Sequence, residues 1–392
     1  MSHDQVPTRA WVIHPDVKSD RGRRDGALAL EEAVSLADAL PGLEVIGSEV
    51  ARVDRINAGM LFGSGKIADL KVRLEAAEIE LVLIDGTVGP VQQRNLEKEW
   101  GVKILDRTGL ILEIFSDRAR TREGVLQVEM AALSYQRTRL VRAWTHLERQ
   151  RGGFGFVGGP GETQIEADRR AIDDQIVRLK RQLDKVVRTR ELHRAARAKI
   201  PYPIVALVGY TNAGKSTLFN RYASADVYAA DQLFATLDPT LRRVEIPHLG
   251  DVVLADTVGF ISDLPHTLID AFKATLEETL NADLLIHVID VSADQREYWM
   301  SEVDLVLSEI GAGDVPMLCV FNKLDLLEQQ PRIVRNEEGL PTAVYLSART
   351  GEGLPLLEEA LRERLQDEVF EGEVELTPSQ GKLRAALFDL GA

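Results

Sequence analysis

Apolar positions along this chain change their spacing twice, which divides it into three stretches and a short tail. Through residues 1–117, short apolar runs alternate with segments whose apolar residues recur every three or four positions. Arg9-Ala-Trp-Val-Ile-His14, Leu43-Glu-Val-Ile46, Glu80-Leu-Val-Leu-Ile-Asp85 and Lys103-Ile-Leu-Asp106 read as strands. Ala27–Leu40, and segments starting near Lys66 and Gln92, read as helices. Strand and helix in alternation predict a parallel α/β domain. Asp85-Gly-Thr87 and Asp106-Arg-Thr-Gly109 fall at strand ends, where they serve either a ligand or an ordinary capped turn.

Over residues 118–200 the helical spacing runs on without a strand. One segment extends from Val125 through Arg149. The next, Gln164–Ala198, carries Ile165, Ile172, Ile176, Leu179, Leu183, Val186 and Val187 close to a 3–4 repeat. Between them residues 151–161 hold six glycines in eleven positions, so an antiparallel helical hairpin with a glycine-rich tip is expected. After Pro201-Tyr-Pro203, residues 201–366 return to strand and helix, with core-strand runs at Ile204–Val208, Asp251-Val-Val-Leu-Ala255, Val315–Phe321 and Ala343-Val-Tyr-Leu346. Residues 367–392 offer one strand and one short helix, too little for a domain.

Chemistry concentrates in the third stretch. Gly209-Tyr-Thr-Asn-Ala-Gly-Lys-Ser216 fits the phosphate-loop pattern G-x-x-x-x-G-K-[ST] and lies between a strand run and a helix start, the context that pattern needs. Gly209, Tyr210, Thr211, Asn212, Ala213, Gly214, Lys215, Ser216 and Thr217 are therefore expected around the phosphates, with Lys215 on the β/γ-phosphates and the Ser216 hydroxyl on Mg²⁺. Asp256-Thr-Val-Gly259 supplies an acidic group for Mg²⁺ and, in Gly259, an N–H for the γ-phosphate. Thr236 is preferred as the third Mg²⁺ group, with Thr240 the competitor; Lys215, Thr236 and Gly259 are the residues expected to act in hydrolysis.

Asn322-Lys323-Leu-Asp325 follows a core strand, where ligands of open α/β sheets bind. The Asp325 carboxylate can accept from N1–H and the exocyclic amine of guanine, a donor pair adenine lacks, so GTP and GDP are the expected nucleotides. Ser347-Ala348 lies one strand later, with Arg349 beside it, and places the Ala348 N–H as donor to guanine O6. The residue after Gly259 is Phe260, whereas a glutamine there orients water in Ras-like enzymes. Phe260 cannot do so by hydrogen bonding, so slow intrinsic turnover is expected. Asn212 stands where several related GTPases hold a K⁺ ion, and a plain turn asparagine fits equally.

Two look-alikes fail. Gly63-Ser-Gly-Lys66 lacks a phosphate loop's first glycine, position 60 being Met60, and Ile67 follows the lysine. Gly153-Phe-Gly-Phe-Val-Gly158 has no strand before it, so it is no dinucleotide fingerprint.

Composition sharpens this. The chain has 392 residues and a single cysteine, Cys319, so a disulfide framework is excluded and a reducing cytoplasm is expected. The start is polar, and no apolar run approaches the ~18 residues of a membrane span. A monomer is expected. Net charge is −15, yet residues 118–199 carry 19 Lys+Arg against 10 Asp+Glu, and 16 of the 19 are arginine. A solvated, ion-paired helical face explains that balance as well as RNA contact does. At the tip, Arg149, Arg151, Phe154 and Phe156 combine cations with stacking groups suited to RNA, while a flexible linker accounts for the glycines.

Phe62-Gly-Ser-Gly-Lys66, Asp106–Phe115, Gly158-Gly-Pro-Gly-Glu-Thr-Gln-Ile-Glu166, Asp231–Thr240 and Asp256–Pro265, in this order, resemble the HflX family of ribosome-associated GTPases. The resemblance covers positions 62–265, and the guanine motifs carry it to 348. It implies an N-terminal domain, a helical hairpin and a GTPase domain that together bind the large ribosomal subunit and its rRNA, the hairpin loop near the peptidyl-transferase centre. It further implies splitting of stalled or idle ribosomes, notably under heat stress, hydrolysis stimulated by the large subunit, and in some members ATP binding at the N-terminal domain. Many members carry a fuller C-terminal domain than residues 367–392. A subunit-assembly GTPase and a non-ribosomal switch remain the competing readings.

Overall fold

A computed structural model describes residues 6–19, 24–150, 160–197, 202–223, 233–264, 268 and 276–365, with side chains of 140–150, 160–165, 191–197 and 277 outside the description. Arg151, Phe154, Phe156, the Arg149 side chain, most of the expected tip and the whole 367–392 segment therefore lie outside the described residues.

The first stretch forms β1 (Thr8–Val17), α1 (Gly26–Asp38), β2 (Leu43–Val53), α2 (Ser64–Ala76), β3 (Leu81–Ile84), α3 (Pro90–Trp100) and β4 (Lys103–Asp106). The sheet order is β2-β1-β3-β4, every pair parallel. Asp25 starts α1 by accepting from the N–H groups of Ala27 and Leu28, the usual way an aspartate satisfies a helix's free donors. Directly after β4 comes α4 (Arg107–Arg118), with Asp106 accepting from Gly109 N at 2.9 Å. Of the two readings for Asp106-Arg-Thr-Gly109, the capped turn matches the geometry, because the carboxylate also takes Tyr135 Oη and Arg139 Nη2 at 2.5 Å each. Asp85 is likewise engaged by protein groups, Arg107 Nη1 at 2.6 Å and His14 Nδ1 at 2.8 Å.

Two long helices follow, α5 (Arg122–Gln150) and α6 (Pro160–Arg197). Arg190 reaches Glu123 at 3.1 Å and Arg137 reaches Asp173 at 2.7 Å, which fixes them as antiparallel. Part of the arginine excess is thus spent on ion pairs within the hairpin. At its root α5 buries Leu126, Val128 and Ala131, while Tyr135 and Arg139 fasten it to the end of β4.

The third stretch contains β5 (Ile204–Val208), α7 (Lys215–Ala223), β6 (Thr240–Ile246), β7 (Gly250–Asp256), β8 (Leu284–Asp290), α8 (Arg296–Ile310), β9 (Met317–Asn322), β10 (Arg332–Arg335), β11 (Pro341–Tyr345) and α9 (Leu354–Leu365). Its seven strands run in the order β10-β11-β9-β8-β5-β7-β6, parallel except for the β6–β7 and β10–β11 pairs. The parallel strands are near-continuous apolar runs because helices cover both faces. The fold is therefore the expected one: a parallel α/β unit, a helical hairpin and a Ras-like phosphate-loop unit.

One core crosses all three parts. Leu110, Ile111 and Phe115 of α4 pack in the same cluster as Val128 and Ala131 of α5 and as Phe234, Leu237, Phe260 and Ile261 beside the phosphate loop. The ring of Phe115 meets that of Phe234 edge-on, centroids 4.8 Å apart at 85°, a geometry worth about 1 kcal/mol beyond burial.

Candidate functional site

The loop between β5 and α7 holds its shape through backbone partners. Thr211 N donates to Phe260 O at 2.7 Å and Phe260 N to Gly209 O at 3.1 Å, which laces the loop to the segment after β7. Gly214 has φ +97°, and a Cβ there would overlap the Asn322 amide; only glycine meets both demands at low cost. At Gly259 a Cβ would stand 2.8 Å from Thr211 Cα and 3.1 Å from Lys215 Nζ. The cleft so formed is lined by Thr211, Asn212, Gly214, Lys215, Ser216, Thr217, Thr236 and Gly259.

Lys215 is buried, and its Nζ donates to Gly209 O at 3.0 Å and Tyr210 O at 2.8 Å. Burial lowers its pKa to about 8, against the opposing pull of Asp256. Three oxygens, from the next residue and from two other segments, converge beside it. Ser216 Oγ and Thr236 Oγ1 stand 2.8 Å apart and donate to Asp256 Oδ2 at 2.8 and 2.9 Å. Asp256 Oδ1 is buried and makes no hydrogen bond among the described residues, and burial raises the carboxyl's pKa despite Ser216, Lys215 and Thr236. A buried carboxylate oxygen without a donor, beside two hydroxyls, fits a hard divalent cation that keeps water and substrate oxygens as further ligands. No cluster of three or more His, Cys, Asp or Glu that could hold a metal by itself occurs among the described residues. Thr240, the competitor to Thr236, is the first residue of β6 and pairs with Asp256 in the ladder, so its backbone is committed to the sheet.

At the ends of β9 and β11, Asn322 Nδ2 donates to Ala213 O and Asn322 Oδ1 accepts from Ala348 N, both at 2.9 Å. The Ala348 N–H expected to face guanine O6 is thus used within the protein. Ser347 Oγ donates to Asp325 Oδ1 at 2.6 Å, Arg349 pairs with the same carboxylate, and Asp325 is held below the usual carboxylate range by the Ser347 bond and Arg349. Lys323, at φ +65°, pairs with Asp290 at 2.8 Å. A strongly ionised carboxylate on this loop can accept from two adjacent N–H donors.

The ring of Phe260 is 2 % exposed and belongs to the core, so it neither reaches nor orients water. Asn212 adopts φ +59°.

Several contacts had no signal in the sequence. Tyr210 donates to Glu32 of α1, and its oxygen also lies 2.7 Å from Ser262 Oγ; burial beside Glu32 pushes its pKa up. Arg24 pairs with Glu32 at 2.9 Å and Asp263 at 2.8 Å. Thr211 Oγ1 accepts from Phe234 N at 3.0 Å, and Asp238 accepts from Thr121. The bonds of Tyr210 to Glu32, of Arg24 to Asp263 and of Thr121 to Asp238 join residues more than a hundred positions apart, where no local spacing can announce them.

Comparison with known proteins agrees with this geometry. Family models described as GTP-binding GTPase N-terminal, GTP-binding GTPase Middle Region and 50S ribosome-binding GTPase match residues 28–116, 118–197 and 204–323. The chain is 53% identical over 385 residues to GTPase HflX of Escherichia coli, covering 98% of this chain and 89% of that one. It is 49% identical over 382 residues to GTPase HflX of Magnetococcus marinus, covering 96% and 87%. The crystal structure of SsGBP with GDP shares the fold at a TM-score of 0.51 and 22% identity, over 90% of this chain and 97% of that one. No helix among the described residues is long and apolar enough to cross a membrane. A phosphate loop, a guanine-type loop and a near-full-length match converge: the chain belongs to the HflX family of GTPases and hydrolyses GTP.

Proposed function

We propose that this GTPase docks on the large ribosomal subunit and uses the GTP cycle to part stalled or idle ribosomes, acting as a cytoplasmic monomer. The observation that carries the reading is the single core shared by α4, the hairpin root and the segments flanking Thr236 and Gly259. A nucleotide-dependent shift at the phosphates is then felt at the base of α5, a helix 29 residues long, roughly 45 Å at about 1.5 Å per residue. The matched description, 50S ribosome-binding GTPase, supports the choice of partner. The excess of arginine over residues 118–199 supports contact with rRNA, with Arg149, Arg151, Phe154 and Phe156 at the tip as the contacting groups.

Within the site, the loop from Gly209 to Thr217 surrounds the phosphates with N–H groups, and Lys215 brings a positive charge to the β/γ-phosphates. Ser216, Thr236 and Asp256 would hold Mg²⁺, which supplies charge neutralisation along the phosphates. Gly259 N–H donates to the γ-phosphate. Ser347 and Arg349 hold Asp325 for guanine, Asn322 ties the base loop to the phosphate loop through Ala213, and Lys323 and Ala348 border the base. Asn212 would place a K⁺ ion against the phosphates, in the position an arginine finger fills elsewhere. With Phe260 buried, no side chain at that position orients water, so intrinsic turnover is slow and the ribosome completes the site. ATP at the N-terminal unit is a weaker proposal, since Asp85 and Asp106 are both engaged by protein groups.

Steady-state GTP turnover with and without purified large subunits tests the partner. Stimulation of at least about tenfold is expected, since completing such a site can contribute about 10³-fold or more. Equal rates would discard the ribosome as the activator and favour a switch acting on another protein. A subunit-assembly role predicts instead that loss of the protein leaves immature large particles while purified 70S particles stay intact with GTP.

A further inference from the structure

Thr236 is strung between two anchors outside the nucleotide unit. Two residues before it, Phe234 is fully buried against Phe115 of α4 at φ +55°, its N–H bound to Thr211. Two residues after it, Asp238 reaches the start of α5. Asp238 Oδ2 accepts from Arg120 N at 2.7 Å and Thr121 N at 2.8 Å, and Oδ1 accepts from Thr121 Oγ1 at 2.6 Å. Thr121 caps α5 in turn, its Oγ1 accepting from Gly124 N at 3.0 Å. The carboxylate lies where a side chain on the first helical turn would stand: a Cβ on Gly124 would overlap Asp238 Oδ1. Glycine is a poor choice inside a helix, about 1 kcal/mol worse than alanine in helix propensity. Its presence here is explained by the carboxylate seated against it. Leu237, buried at 2 %, closes the contact by packing in the core with Val128 and Ala131 of α5.

We propose that Asp238 is a positioning residue for GTP hydrolysis: by binding the first turn of the hairpin helix it holds Thr236 at the Mg²⁺ and γ-phosphate position, so that turnover depends on how the hairpin root is seated. This rests on the reading of Thr236 as the Mg²⁺-binding threonine. A negative group at the positive end of a 29-residue helix is also favoured electrostatically, so the latch is strongest when α5 is fully wound to Arg122. A pull that unwinds or tilts that first turn releases Asp238, and with it Thr236. The hairpin thereby acts on the chemistry through a named set of bonds rather than through general contact between domains.

The test uses the full chain carrying Asp238→Ala, Gly124→Ala, Thr121→Ala, Thr121→Ser or, as control, Thr236→Ala. The readouts are single-turnover GTP hydrolysis at saturating Mg²⁺, GDP affinity by fluorescent nucleotide, and thermal unfolding. Asp238→Ala and Gly124→Ala should lower the hydrolysis rate about tenfold, the loss expected when charge-assisted hydrogen bonds that hold a reacting group are removed. GDP affinity should stay within about twofold, because no γ-phosphate is there for Thr236 to close on. Gly124→Ala favours the helix, so a slowed but equally or more heat-stable protein separates ejection of Asp238 from damage to the hairpin. Thr121→Ser keeps the hydroxyl and should hydrolyse at nearly the parent rate, whereas Thr121→Ala should not. Parent rates in Asp238→Ala and Gly124→Ala, with Thr236→Ala slow, overturn the coupling while leaving Thr236 in place. A parent rate in Thr236→Ala removes the reading beneath it. Parallel loss of GDP affinity or of folding in Asp238→Ala and Gly124→Ala reduces the contact to a structural one and also overturns the proposal.

Discussion

Arg107 and Ser262 are 155 residues apart in the chain, yet Arg107 Nη2 donates to the Ser262 carbonyl at 2.7 Å. The same guanidinium takes Asp85 and Glu32, each at 2.6 Å, and is almost fully buried. It thereby ties the first helix after β4 to the segment three residues past Gly259. Removing it leaves two carboxylates without their main partner, and breaking a buried pair in this way costs about 3–5 kcal/mol. Arg107→Ala should lose that much in urea unfolding. A loss below about 1 kcal/mol, the level of an exposed ion pair, would mean the network is solvated in solution.

The same cluster sets an acid limit. Burial alone would raise the Asp85 carboxyl, but hydrogen bonding to His14 and the charges of Arg107 and Arg24 more than reverse this and hold it below the ordinary range. A carboxyl depressed in the folded state contributes stability that is complete above its unfolded pKa and is lost as pH falls through the folded value. Unfolding free energy should therefore decline below about pH 4 in the parent, and Asp85→Asn should decline less. Identical acid limbs would remove Asp85 as the cause.

Lys215 should give nucleotide binding a pH dependence on the alkaline side. Its folded pKa is lowered to about 8 by burial, and bound phosphate restores the charged form, so binding takes up a proton above that value. GTP affinity should be flat below pH 8 and fall toward tenfold per pH unit above it. Calorimetry in buffers of different ionisation enthalpy would detect the uptake. Constant affinity from pH 7 to 9.5 would contradict a lysine that is neutral before binding.

How far these relationships could be read in advance differs by region. The phosphate loop, Asp256 and Asn322–Asp325 sit at ends of apolar strands, and both position and chemistry were visible because their spacing is local. Helix α4 was not foreseen. Arg107 and Gly109 through Leu112, Ile114 and Phe115 are all buried, so the segment lacks the polar face whose period marks a helix. Strand β6 is an edge strand that buries only Val244 and Ile246 and exposes Arg242, Arg243 and Glu245, too few apolar positions to stand out as a core run. Glu32, Asp238 and Gly124 gave no sign, since each acts on a partner more than a hundred residues away. Phe260 was legible only by what it lacks; that its ring is core follows from packing alone.

Burial of Phe260 gives a prediction of its own. Phe260→Ala removes a ring 2 % exposed and should cost about 3–5 kcal/mol of stability. Its intrinsic turnover per folded molecule should stay within about threefold of the parent, since the ring does no hydrogen bonding to water. Unchanged stability would place the ring outside the core. A large turnover loss in protein shown to be folded would mean the ring positions the water after all.

Base choice rests on Asp325. Asp325→Asn should weaken GTP binding by at least about a hundredfold and gain xanthosine triphosphate, whose O2 acceptor suits an amide donor. Parent GTP affinity in the variant would remove Asp325 from the guanine site.

The central claim, that a GTPase cycle drives a hairpin to part ribosomes, is tested most directly by sedimentation of purified 70S particles with GTP. The parent chain is compared with one in which residues 151–160 are replaced by a short Gly-Ser link. The parent should convert 70S particles to free subunits. The replaced chain should bind GTP as before but split none, and large subunits should still stimulate its hydrolysis in part. Splitting at the parent rate without the tip would contradict the account, and would assign the separating force to the helices or to the N-terminal unit.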